Sequence, residues 1–208
     1  MSTPAQYFAE MYRDSDDPWR LAERWYERRK YALTMAALPR ERYRDAFEPA
    51  CSVGVLTRLL ADRCDRLLSC DRVPRAVDAA RRRVAGLAHA TVEQRVLPAQ
   101  WPTDRRFDLV VLSEMLYYFS PDEERTLLDQ ATASLEPQGT LVAVHWRHPV
   151  DDHAQTGDEA HRVLRSVPGL ARVAAHEEPD FLLEVFARSS RPGADPRSLS
   201  VAALEGLV

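Results

Sequence analysis

Residues 47–71, FEPACSVGVLTRLLADRCDRLLSCD, constrain this chain more than any other stretch. They run from an apolar strand end and an acid, Glu48, through a loop of small residues (Ala50, Ser52, Gly54) into a helix, a second strand and a second acid, Asp71. That is the order of a βαβ nucleotide-binding unit. A tight loop and a helix N-terminus come close to the ligand, and the acid ending the second strand bonds both hydroxyls of a ribose. Such loops usually carry more glycine. Alanine at position 50 costs little unless the backbone needs φ > 0, where the left-handed penalty is roughly 1–2 kcal/mol.

The rest of the chain alternates strands and helices. The pattern predicts a strand ending at Glu48, helix 53–61, strand 66–70, helix 74–84 and strand 91–96. Residues 107–113, FDLVVLS, form a continuous apolar run, as expected of a central parallel strand covered on both faces. Helix 121–135 follows with Ser120 as N-cap, then strand 139–146 and a short helix 157–166. Residues 170–177 and 181–188 read as paired strands joined by a short turn. The aromatic and charged first forty residues predict a helical cap, with a helix starting at Asp17-Pro18-Trp19 and another over 25–38. The expected organisation is one domain over 1–190, with cap 1–40 and α/β core 41–190, followed by a Pro/Ser-rich tail 191–208.

Composition narrows the function. The chain has 208 residues, 45% hydrophobic and 29% charged, with net charge −4. That balance gives no pull toward nucleic acid or an anionic membrane. No run approaches the ~18 apolar residues of a membrane span, and no signal peptide opens the sequence. Three cysteines at no metal-ligand spacing read as reduced thiols in a cytoplasm. Lys30 is the only lysine among the 28 basic residues, which reads as genomic base composition rather than phosphate binding.

Several segments together resemble the class I S-adenosylmethionine-dependent methyltransferases, and within them the family related to nodulation protein S. They are DPWRLAERWYERRKYALTMAALP, FEPACSVGVLT, FDLVVLSEMLYYF and HWRHPVDDHAQTGDEAHR, spanning roughly 17–162. The resemblance implies a Rossmann-like α/β fold: a seven-stranded, mostly parallel sheet closed by an antiparallel hairpin. It implies S-adenosyl-L-methionine as cofactor, held by Glu48, Ala50, Ser52, Gly54, Asp71 and Arg72. Gln100 and Trp101 fall where adenine is usually held, and Ser113 and Glu114 beside the methyl group. Trp25 and Arg29 would close over the methionine carboxylate. Relatives often place an Asp after strand three; this chain has Val96-Leu97-Pro98.

Methyl transfer needs an in-line geometry and a nucleophile free of its proton, a task suited to histidine. His145 and His148 follow strand five, where ligands sit in open α/β sheets, and are candidates to orient or deprotonate the acceptor. Structural loop histidines are the competing reading; a metal site is disfavoured, because no HExxH or Cys/His pattern supports one. Glu114 is either a catalytic or anchoring carboxylate or a buried one bonded to loop amides. Tyr117 and Tyr118 read as pocket walls, and Asp152, His153 and His161 as contacts to a polar small-molecule acceptor. The expected function is methyl transfer to nitrogen or oxygen of an amino sugar or secondary metabolite. The alternatives are a methyltransferase fold that binds the cofactor without transfer and, less favoured, a nicotinamide enzyme. A homodimer is the base-rate expectation for assembly.

Overall fold

The computed structural model describes residues 1–189 and 200–208. Seven strands form one sheet: β1 (Ala46–Pro49), β2 (Leu67–Asp71), β3 (Ala90–Gln94), β4 (Phe107–Ser113), β5 (Leu135–Trp146), β6 (Leu170–Glu177) and β7 (Phe181–Arg188). Their order is β3-β2-β1-β4-β5-β7-β6, parallel through β5 and antiparallel at β7 and β6. The order reverses between β1 and β4, so a crevice opens beyond their carboxyl ends. The apolar run of β4 is buried nearly throughout. Phe107 stacks on Phe47 of β1 at 5.2 Å, and Trp101 meets Phe47 edge-on at 4.9 Å.

The helices are α1 (Ala5–Met11), α2 (Trp25–Ala37), α3 (Val55–Ala61), α4 (Pro74–Arg83), α5 (Pro121–Ser134), α6 (Gly157–Leu164) and the short α7 (Val201–Leu204). Most boundaries fall within two residues of the sequence pattern. Two differ for a physical reason. Asp17 does not start a helix: its carboxylate accepts the Leu21 and Ala22 amides, both at 2.9 Å, across a turn in which Arg20 has φ +57°. Strand β5 begins at Leu135 rather than 139, because Leu135 already pairs with Phe107 before a register shift. Part of the expected tail from 191 lies outside the described residues.

The β1–α3 loop is wound tightly. Ala50 (φ +55°), Ser52 (φ +50°) and Gly54 (φ +77°) are all left-handed, so two residues with a Cβ occupy backbone that favours glycine. Gly54 has a second reason to be glycine: a Cβ there would lie 2.8 Å from Ala80 Cβ on α4. The loop is braced from above by Tyr12, whose hydroxyl lies 2.5 Å from Ser52 Oγ.

Helix α6 is fixed to the sheet by a buried polar chain. Thr156 and Glu159 form a capping box at its start, and a Cβ on Gly157 would collide with the Trp146 carbonyl. The Leu116 amide donates to His145 Nε2 at 3.1 Å. An amide can only donate, so Nε2 accepts and Nδ1 carries the ring proton. That proton faces His161 Nε2 at 3.0 Å, and His161 Nδ1 donates to Glu184 at 2.7 Å. Arg165 and Arg172 also donate to Glu184.

Two outcomes follow from these contacts. Ala50→Gly should raise the unfolding free energy by up to about 1 kcal/mol, seen as a higher urea midpoint at unchanged slope; an unmoved midpoint would show that the left-handed alanine carries no strain. Burial alone would push the Glu184 carboxyl up, but the hydrogen bonds from His161, Arg172 and Arg165 outweigh it and hold it at about 2. Its unfolded value is about 4.3. The depressed group therefore contributes stability above about pH 4.3 that is lost as pH falls toward 2. Glu184→Gln should flatten the decline across that window in acid titrations followed by circular dichroism.

Candidate functional site

A cavity of about 750 Å³ opens at the carboxyl ends of β1, β2 and β4. Its floor is the β1–α3 loop, with Glu48, Ala50 and Ser52, and the end of β2, with Asp71 and Arg72. Ser113, Glu114, Tyr117 and Tyr118 line its far side, together with His153 from the loop after β5. Helices α1 and α2 and the first residues of the chain roof it over.

At the floor, Asp71 accepts the Ser52 amide at one carboxylate oxygen and the Val73 amide at the other, both at 2.9 Å. Each oxygen keeps a lone pair, enough for two ribose hydroxyls. Burial raises the Asp71 pKa, and the backbone amides of Val73, Ser52 and Arg72 pull it partly back. Glu48 is 2% exposed and accepts the Ser69 hydroxyl at 2.7 Å. Burial pushes its carboxyl up to about 7. An acid pair flanking a tight loop at the sheet's switch point has the donor-accepting capacity that a nucleoside cofactor needs.

Three donors converge on Glu114 at the far side. Lys30 Nζ lies 2.5 Å from Oε1, the Tyr117 hydroxyl donates to Oε2 at 2.7 Å, and the Trp146 amide donates to Oε2 at 2.9 Å. Glu114 itself has φ +53°, the kind of local strain that clusters at functional sites. Lys30 is 2% exposed and makes a second ion pair with Glu27 at 3.0 Å. Its ammonium also sits 4.9 Å above the Tyr26 ring. Burial pulls the Lys30 pKa down, but the two carboxylates outweigh it and raise the value. The Tyr26 hydroxyl is buried beside this cluster with no hydrogen-bond partner among the described residues.

The cavity gathers ten of the residues singled out in the sequence: Glu48, Ala50, Ser52, Asp71, Arg72, Ser113, Glu114, Tyr117, Tyr118 and His153. Others are corrected. His145 and His161 are fully buried in the chain to Glu184, with every ring nitrogen used, so neither meets an acceptor. His148 does not line the cavity: it packs on Trp146 at 4.6 Å, and its Nε2 meets Asp180 at 2.8 Å. Gln100 folds back on its own turn and accepts the Val96 amide at 2.6 Å, and the cavity wall there is made by Arg95, Val96 and Leu97 instead. Trp101 is a core residue whose indole N–H donates to Ser134. Trp25 is 69% exposed on the outer side of α2, and Arg29 pairs with Glu178 at 2.8 Å. Asp152 is exposed and meets the N-terminal segment through its carbonyl, which accepts the Thr3 hydroxyl. Gly54 shapes the loop without lining the cavity. Sequence reasoning missed Lys30, Glu27, Tyr26 and Trp146. The signal for Lys30 was present: a lone lysine among so many arginines marks a position where a guanidinium does not serve.

Residues 5–159 match the family model described as Nodulation protein S (NodS). The chain is 37% identical over 131 residues to nodulation protein S of Rhizobium tropici, covering 62% of this chain and 54% of that protein. It thus spans little more than half the length of that curated relative. Among solved structures, a candidate methyltransferase from Pseudomonas syringae is 47% identical at TM-score 0.71, covering 79% of this chain and 100% of the other. The N-methyltransferase NodS of Bradyrhizobium japonicum WM9, solved with S-adenosyl-L-homocysteine, is 27% identical at TM-score 0.77, covering 88% and 97%. The strand order, the acid-flanked loop and these matches agree: the chain has the Rossmann-like class I methyltransferase fold and belongs to the nodulation protein S family.

Proposed function

We propose that this protein is an S-adenosyl-L-methionine-dependent methyltransferase acting on the nitrogen of a polar small-molecule amine, such as an amino sugar. The observation that carries the reading is Glu114, a donor-laden carboxylate at the end of β4 among aromatic walls. When bound, the cofactor supplies a methyl group activated by a sulfonium charge. Asp71 holds the ribose, and the tight loop lets the methionine portion approach the backbone. Glu114 then lies where positive charge arrives on a methylated nitrogen, so its carboxylate stabilises that charge where it develops. Tyr117, Tyr118 and Trp146 give an ammonium aromatic surfaces to face. A neutral phenol or alcohol gains less from this arrangement than an amine does.

Calorimetric titration with S-adenosylmethionine, S-adenosylhomocysteine and NAD tests the first half of the proposal. Binding of neither sulfur nucleoside at millimolar concentration would sink it. Transfer assays with D-glucosamine, deacetylated chitobiose and simple phenols test the second half; turnover on phenols alone overturns the nitrogen acceptor. Binding with no turnover on any acceptor would favour a protein that holds the cofactor without using it.

Variants sharpen the roles. Asp71→Ala should weaken cofactor binding about tenfold or more, since a hydrogen bond to a charged group is worth roughly 1.5–3 kcal/mol. Glu114→Gln should lower kcat about 10²-fold with cofactor affinity little changed. Lys30→Met strands Glu27 and Glu114 without their cation and should cost roughly 3 kcal/mol in urea unfolding. A Lys30→Met protein as stable as the parent would show that the buried cluster contributes nothing to the fold.

A further inference from the structure

The proposed reaction needs a neutral amine, yet near neutral pH an alkyl ammonium keeps its proton. Some group at the acceptor end of the cavity must take it. Glu114 accepts two bonds at Oε2 and the Lys30 ammonium at Oε1, which leaves one Oε1 lone pair to hold the acceptor nitrogen but a carboxylate whose charge is already spent on a cation. His145 and His161 are sealed beneath the turn at 116–118, and His148 packs on Trp146 at the cavity rim without lining it, its Nε2 held by Asp180. Burial pushes the Tyr117 phenol far above its ordinary value.

His153 is different. Its ring lies flat on Tyr117 at 4.1 Å with an interplanar angle of 7°, and meets Tyr118 edge-on at 4.8 Å. It lines the cavity with Glu114, and neither ring nitrogen has a hydrogen-bond partner among the described residues. The stack fixes the ring plane, while the free nitrogens remain available to a ligand. The half-buried ring also leaves a route for a proton to solvent. From this geometry we infer that His153 is the general base, accepting a proton from the acceptor ammonium while Glu114 holds the nitrogen. The inference rests on the amine reading above.

The bookkeeping is simple. One N–H bond of the ammonium breaks, the proton goes to a ring nitrogen of His153, and the amine keeps the electron pair. That pair forms the N–C bond as the C–S bond of the methyl donor breaks and its electrons go to sulfur. The imidazolium then loses its proton to solvent. The ionisable groups around His153 are Glu114 at the end of β4, His145 on β5, Tyr117 and Tyr118 in the turn, Asp152 beside it, and Lys30 of α2 behind Glu114. Burial lowers the His153 pKa, and Glu114 and Asp152 pull it partly back, so its surroundings on balance favour the unprotonated ring that a base requires.

The test uses His153→Phe, which keeps a ring against Tyr117, and His153→Ala, which leaves a space. With D-glucosamine as acceptor, His153→Phe should lose about 10²-fold or more in kcat at pH 7 while binding S-adenosylhomocysteine as the parent does. The loss should shrink as pH rises toward the acceptor's own pKa, and imidazole should restore part of the rate to His153→Ala. A readout without turnover is the His153 ring resonance: with S-adenosylhomocysteine bound, adding glucosamine should move it toward the imidazolium position. A parent that turns over alongside a His153→Phe variant within threefold of it, with the same pH profile, would overturn the role of His153 alone. A parent that methylates no amine would overturn the amine reading, and this inference with it.

Discussion

Lys30, wedged between Glu27 and Glu114, is the contact on which the working end of this protein depends. It joins the cap helix α2 to the end of β4, and Glu114 passes the connection on to β5 through the Trp146 amide and to the next turn through Tyr117. Four segments thus meet on one carboxylate. Taking one cation and two anions out of water costs several kcal/mol per ion, repaid only when each keeps its partners. Such a cluster tolerates little rearrangement. It therefore sets the depth of the roof over the cavity as firmly as any apolar contact does.

The histidines show how burial decides chemistry. Four follow one another within seventeen residues of the chain, at 145, 148, 153 and 161. Two are enclosed and spend their nitrogens on an amide, on each other and on Glu184. Their tautomers are fixed by a backbone N–H that can only donate. A third faces solvent and an aspartate. The fourth alone stacks within the cavity with its nitrogens free. Spacing along a loop says nothing about which way each ring turns.

The frame was legible for a related reason. The apolar run of β4 has one way to be satisfied, burial on both faces, and β6 and β7 carry a turn signal between them, so all three strands lie where the pattern put them. Asp71 and Glu114 were legible because strand ends fix where their side chains emerge. Gln100 and Trp101 were not, because the direction of the turn after β3 is set by what it packs on: Trp101 finds Phe47, and Gln100 finds the Val96 amide. Trp25 and Arg29 belong to a helix whose inward face carries Lys30, a choice made by Glu114 far away in sequence. The capping box of Thr156 and Glu159 fixes the start of α6.

The seclusion of Lys30 also gives this chain an unusual surface. With its single lysine enclosed, the folded protein presents no side-chain primary amine to solvent. Amine-directed reagents should couple at the terminal α-amino group and leave the rest of the surface untouched. Uptake of a second label would then coincide with opening of the cap from β4. The chain carries, without modification, a chemical reporter of whether its roof is closed.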